Sequence, residues 1–131
     1  MSKFLVSSLV VTLGLSAACT SQGTANPSNA NPNEATAGRI DPKTAVAQGA
    51  VLIDVRSQDE WDAGHDERAT LVPLPELGGR IQDVEALVGG DKKETIVVVC
   101  RSGTRSERAR KILEQNGFTT VLNGGSWQSV R

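Results

Sequence analysis

A chain of 131 residues holds one domain of ordinary size with a short accessory segment, which excludes two independent cores. Fifteen acids against fourteen lysines and arginines, a formal net charge of -1, create no overall field that would draw nucleic acid or an anionic membrane surface, so any electrostatic function must be local. Two cysteines far apart, Cys19 and Cys100, exclude a disulfide framework and give no zinc-type pair.

The chain opens with Lys3 as a basic start, an apolar run from Phe4 to Leu15, and then Ser16, Ala17 and Ala18. These are the three parts of a secretory signal peptide, assigned to residues 1–18. The run falls well short of the ~20 apolar residues that a membrane-spanning helix requires. Leu15-Ser16-Ala17-Ala18-Cys19 resembles the bacterial lipobox, whose cysteine is lipidated and becomes the mature N-terminus. It departs from that pattern in carrying Ser16 where leucine is usual. An ordinary cut after Ala18 would instead leave Cys19 a free thiol. The following stretch favours lipidation: Thr20 to Gly38 is dominated by Ser, Thr, Asn, Ala, Pro and Gly, with Glu34 as its one charge. Such a stretch cannot offset its ordering entropy by burial. Residues 19–38 therefore read as a lipidated, flexible linker holding a folded domain, residues 39–131, off a membrane. Each methylene of an acyl chain on Cys19 would add about 0.8 kcal/mol of membrane affinity. The expected location is the cell envelope, lipid-anchored on the periplasmic side. Thr20, in place of an aspartate that retains many lipoproteins at the inner membrane, directs the expectation to the outer membrane where the cell has one.

From Arg39 helix and strand signals alternate. Asp41-Pro42 sets a capping residue before a proline at the first helical position, predicting a short helix to about Gln48 that ends at Gly49. Val51-Leu52-Ile53 with Val55 is too continuously apolar for a half-exposed edge and predicts a strand covered on both faces, ending on Asp54 and Arg56. Ser57 with Glu60 forms a capping box for a helix through Trp61, stopped at Gly64. Thr70-Leu71-Val72 predicts a strand ended by Pro73, and Leu77, Ile81, Val84 and Val88 share one face of a helix over 77–88. The β-branched run Thr95 to Val99 predicts a strand leading straight into Cys100. A helix follows, with Ala109, Ile112 and Leu113 on one face. Glu107 with Lys111 and Arg110 with Glu114 lie one turn apart, and Asn116-Gly117 form its stop. Thr119 to Leu122 is the last predicted strand. Strands alternating with helices across short loops imply an α/β domain with a parallel sheet and helices on both faces. Ligands bind such sheets at the carboxyl ends of the strands.

Cys100-Arg101-Ser102-Gly103-Thr104-Arg105-Ser106 places a thiol where a buried strand gives way to a helix. Backbone N–H groups of the Gly-containing loop, the helix dipole and two guanidinium groups all favour a thiolate there and a second anion beside it. The competing interpretation is a buried structural cysteine with arginines coating a solvated helix start. The coincidence of strand end, small-residue loop, two arginines and helix start favours a nucleophile.

The segment CRSGTR resembles the active-site loop of the rhodanese family, a cysteine followed after four residues by an arginine. Leu52 to Arg56 resembles the family's strand ending in Asp-x-Arg, and Glu60-Trp61 with Gly64-His65 its Glu-aromatic and Gly-His signature. Ala69 and Pro73 fall at the family's spacing, and Asn123-Gly124-Gly125 with Trp127 is similar to the segment that closes the domain. The resemblance implies a single rhodanese-like domain with its active-site loop between a central strand and the next helix. It further implies a sulfurtransferase in which Cys100 takes the outer sulfur of thiosulfate or a similar donor as a persulfide and passes it to cyanide or a thiol. Arg101, Ser102, Gly103, Thr104 and Arg105 would bind the anionic donor and the persulfide, with Asp54 and Arg56 in support. No metal or organic cofactor is implied. The expected partners are the small anionic donor and its acceptor, with the membrane reached only through Cys19 and no nucleic acid. An alternative from another class is a tethered module that carries a persulfide or binds a partner without turnover.

Protein tyrosine phosphatases and arsenate reductases place five residues, not four, between cysteine and arginine, so this loop is too tight for a tetrahedral phosphate. Asp66-Glu67-Arg68 departs from the apolar, proline and glycine residues usual after Gly-His, and the family's final helix is expected to be shortened or absent. His65, the one histidine, is expected to fix a turn; a general acid or base would need a placed partner. Asp54 and Arg56 are expected to form an ion pair, and Trp61 and Trp127 to cover helix ends. Arg108, Arg110 and Lys111 are expected on a solvated face, with Arg105 alone turned to the site.

Overall fold

The computed structural model describes residues 40–131; the expected signal peptide, the linker and Cys19 lie outside the described residues. Asp41 opens α1 (Pro42–Ala47), its carboxylate accepting the Thr44 N–H at 3.1 Å. β1 (Val51–Asp54) leads to α2 (Gln58–Asp62), which carries the expected reciprocal capping box between Ser57 and Glu60. There follow β2 (Ala69–Leu71), α3 (Leu74–Leu77), α4 (Ile81–Leu87), β3 (Ile96–Cys100), α5 (Thr104–Gln115) and β4 (Val121–Ser126).

The four strands form one parallel sheet in the order β2-β1-β3-β4. β3 lies between β1 and β4, is buried at every position, and places Cys100 at its carboxyl end. Alternation along β3 feeds two apolar layers. Ile96, Val98 and Cys100 join Leu77, Val84, Ala109 and Leu113 from α3, α4 and α5, whereas Val97 and Val99 join Ala45 and Val46 of α1 with Leu122 and Val130. Helices thus cover both faces, as expected, with the chain after β4 completing the α1 side. No helix among the described residues is long and apolar enough to cross a membrane.

Some expected boundaries differ. The single helix over 77–88 is two: α3 ends at Leu77 and α4 begins at Ile81, separated by Gly78, Gly79 and Arg80. Pro73 ends β2 and starts α3, and Pro75 fits within the first turn, where its missing N–H has no intrahelical partner to lose. β2 begins and ends one residue early. The last strand is not Thr119–Leu122 but Val121–Ser126, and it runs through two glycines. Gly124 is there because a Cβ would come within 2.8 Å and 2.9 Å of the Val99 and Val97 methyls. Opposite β3, Val98 pairs with Asn123 but Cys100 with Ser126, so β4 holds one extra residue, a bulge containing Gly125 at φ +68°.

Candidate active site

Cys100 is fully buried and begins the turn from β3 into α5. Gly103, at φ +97°, occupies the N-cap of α5 and points its N–H at the Cys100 sulfur, 2.9 Å away. A side chain there would hold the residue in a strained backbone conformation, with its Cβ 3.4 Å from the Gly125 Cα. Burial pushes the Cys100 thiol up. The polar groups of Ser106 and the N–H groups of Ser102 and Gly103 outweigh burial, so the thiol lies below its ordinary value. Only the Gly103 N–H makes a hydrogen bond to the sulfur among the described residues; Ser106, whose hydroxyl donates to the Gly125 carbonyl at 3.5 Å, lowers the thiol from nearby and is a contributor absent from the expected set. Its signal was the serine directly after Arg105, one turn into the helix and facing back to the strand end.

The two arginines of the loop part company. Arg101 is exposed and lines a cleft of about 260 Å³ between α2 and the turn after β4, where Glu60, Arg56, Ser126 and Trp127 form other walls. Arg105 was expected to face an anionic donor, but its guanidinium grips the Glu60 carboxylate at 2.6 Å and 2.7 Å. Glu60 also accepts the Ser57 N–H and hydroxyl, both at 3.1 Å. With the Arg105 bonds first and the Ser57 bonds next, its carboxyl is held down at about 2. Of the two loop arginines, Arg101 makes no ion pair among the described residues, while Arg105 ties the start of α5 to α2. Thr104, exposed at the first position of α5, makes no side-chain hydrogen bond among the described residues. Farther along α5, Arg110 is paired with Glu107 and Glu114, in place of the expected Glu107–Lys111 pairing, whereas Arg108 and Lys111 are exposed.

The folded-state value of Glu60 lies below its ordinary 4.5, so the stability it contributes is present in full above pH 4.5 and is lost as pH falls toward about 2. The stability gap between wild type and Glu60→Gln in urea unfolding is expected to close across that window. A gap that stays constant with pH would show that the ion pair is not its source. Salt should narrow the gap, since both groups remain about one-third exposed.

Asp54 and Arg56 form the expected ion pair, and it is buried. The Arg56 Nε lies 3.0 Å and 2.8 Å from the two carboxylate oxygens, and the Arg56 backbone N–H donates to Oδ1 at 3.0 Å. Its remaining nitrogens donate to the carbonyls of Glu60 and Gly64 at 3.1 Å and 2.8 Å, which fastens the end of α2 to the sheet. Trp127 lies over this guanidinium at 4.8 Å, and its backbone N–H donates to the Cys100 carbonyl at 2.9 Å. His65 is structural, as expected: it stacks on Trp61 with centroids 3.8 Å apart, and its Nδ1 lies 3.0 Å from the Trp61 carbonyl. A carbonyl only accepts, so Nδ1 carries the proton. Asp66 and Arg68 repeat the Asp-x-Arg clasp, and Arg68 reaches on to the Val130 carbonyl at 3.1 Å. The departure from family pattern at this turn is thus a fastener for the C-terminal segment.

A family model described as Rhodanese-like domain matches residues 33–129. Thiosulfate sulfurtransferase PspE of Escherichia coli (strain K12) is 35% identical over 78 residues, covering 60% of this chain and 71% of that protein. A tRNA uridine(34) hydroxylase of Cronobacter sakazakii is 32% identical over 84 residues, 63% of this chain, which spans only 24% of the hydroxylase. Among solved structures, a rhodanese with anions from E. coli superposes with a TM-score of 0.54 at 32% identity, covering 61% of this chain and 89% of that one.

Proposed function

The chain belongs to the rhodanese-like family, and from that premise we propose that it is a sulfurtransferase that moves a sulfane sulfur from thiosulfate or a similar anionic donor to cyanide or a thiol through a persulfide on Cys100. The observation that carries this is the Gly103 N–H aimed at the Cys100 sulfur, 2.9 Å away, in the turn from the end of β3 into α5. The thiolate attacks the outer sulfur of thiosulfate, a new S–S bond forms, and sulfite leaves with the electron pair of the bond it loses. The negative outer sulfur left on Cys100 is a suitable acceptor for the same N–H. Cyanide then attacks that sulfur, thiocyanate departs, and the thiolate returns. Arg101 supplies the positive charge that draws the donor into the cleft.

Similarity to a sulfurtransferase over 71% of that relative's length supports this reading. A likeness confined to 24% of the hydroxylase carries no claim to its activity here. The second reading, a persulfide carrier without rapid turnover, is favoured by the complete burial of Cys100, which would shelter a stored sulfur. Thiocyanate formation from thiosulfate and cyanide, measured beside the mass of the protein after thiosulfate treatment, separates the two. Turnover supports the enzyme; a chain one sulfur atom heavier without turnover supports the carrier. A chain that takes up no sulfur from any donor overturns both.

The working site in the cell is proposed to be the periplasmic side of the envelope, anchored through Cys19, on the strength of the signal-like residues 1–18 and the lipobox-like segment. Labelled palmitate is expected in the wild-type protein expressed in a bacterial host and to be absent from Cys19→Ala. An unlabelled wild type would sink the anchor.

A further inference from the structure

Gly103 carries the N–H that meets the Cys100 sulfur, yet it has the widest backbone freedom of any residue, so something outside it must set where that N–H points. Its carbonyl receives two donors, the Glu107 N–H at 2.9 Å and the Asn123 Nδ2 at 3.2 Å. The first is the ordinary opening bond of α5. The second comes from the bulge of β4. Asn123 is itself fully engaged: its Oδ1 accepts the Gly125 N–H at 2.9 Å, and its Nδ2 also donates to Glu107 Oε2 at 3.2 Å. Arg110 holds that carboxylate from the other side at 2.6 Å and 3.0 Å. The amide cannot be reversed, because its oxygen would then face two oxygens and its nitrogen an N–H.

We propose that Asn123 is a positioning residue, tying the Gly103 carbonyl to β4 so that the Gly103 N–H stays aimed at the Cys100 sulfur. This rests on the reading of Cys100 as a thiolate nucleophile. Asn123 touches neither the sulfur nor the cleft and acts only through Gly103. The bulge is what makes its reach possible, since the extra residue in β4 brings Gly125 back under the Asn123 side chain while Ser126 resumes pairing beside Cys100.

The test is the pH profile of Cys100 alkylation by iodoacetamide in the full chain, for wild type, Asn123→Ala and Asn123→Asp. Both variants are expected to move the midpoint of reactivity to higher pH and to slow alkylation below it roughly fivefold, the size of one ordinary hydrogen bond. Aspartate is isosteric and keeps the acceptor for Gly125, so it tests the lost donor even if the alanine variant does not fold. Its added charge is separated by repeating the profile at about 1 M salt, where exposed charge effects are screened. A shift that persists supports the proposal. Unmoved midpoints, a shift that vanishes in salt, or failure of both variants to fold overturns it. An ordinary thiol midpoint in the wild type would instead count against the thiolate reading of Cys100 and so against the proposed function.

Discussion

Asp54→Ala is expected to destabilise the domain by about 3–5 kcal/mol, because it leaves the Arg56 charge buried and uncompensated. Arg56 is only 4% exposed, and the groups remaining around it are two carbonyls and the face of Trp127. These are dipoles and a quadrupole, and they do not replace a full negative charge. Against a total stability of about 5–15 kcal/mol for a domain of ordinary size, the loss is large enough to leave much of the protein unfolded at growth temperature. Urea unfolding monitored by circular dichroism measures it. Asp54→Asn, which keeps an acceptor for the Arg56 N–H without the charge, should fall between. Removing both charges in Asp54→Ala with Arg56→Met should recover part of the loss, since the penalty lies in the unpaired ion more than in the missing bond. A double variant no more stable than Asp54→Ala would show that the unpaired charge is not the source of the loss.

Cys100→Ser is expected to abolish sulfur uptake and to reduce any turnover by at least about a thousandfold, as removal of a covalent nucleophile does elsewhere. The loop favours an anion at position 100, but a serine hydroxyl begins too far from ionisation for a few N–H donors to deprotonate it at neutral pH. Nor does the oxygen accept a sulfane sulfur in a bond that a thiophile readily reopens. The substitution is close to isosteric and Gly103 still has an acceptor for its N–H, so the fold should survive, as a thermal melt would show. Thiocyanate formation by the variant near the wild-type rate would remove Cys100 from the reaction. The two substitutions act differently: the first is read in the unfolding curve, and the second leaves that curve nearly in place.

Signals carried within a few residues were legible before the fold was known. The capping box of Ser57 and Glu60, the proline after Asp41, and the β-branched run into Cys100 each specify a local structure through neighbours close in the chain. The hidden parts depend on distant partners or on glycine. Glu60 lies 45 residues from Arg105, and nothing near the loop in sequence announces that its arginine is already taken. Gly124 lowers the strand signal of β4, although the valines of β3 are what require a glycine there. Gly78 and Gly79 blur a helix start that is in fact a break between two helices. Asn123 was legible only within the Asn-Gly-Gly segment that resembles the family's closing one, and its link to Gly103 appears only once the bulge is formed. Side-chain roles at the site were therefore less legible than the position of Cys100 at the end of β3.

The clasp at Asp66 and Arg68 bears on how the end of the chain is held. Arg68 donates to an aspartate two residues away and also to the Val130 carbonyl 62 residues away. The first contact restricts the guanidinium through a loop so short that closing it is nearly free of chain entropy. A long, flexible side chain thereby loses most of its rotamer freedom to a neighbour, before any distant group arrives. The C-terminal segment then meets a donor whose direction is already set. The long-range bond has only the tail left to immobilise, and the wall of the cleft at Trp127 inherits that preorganisation.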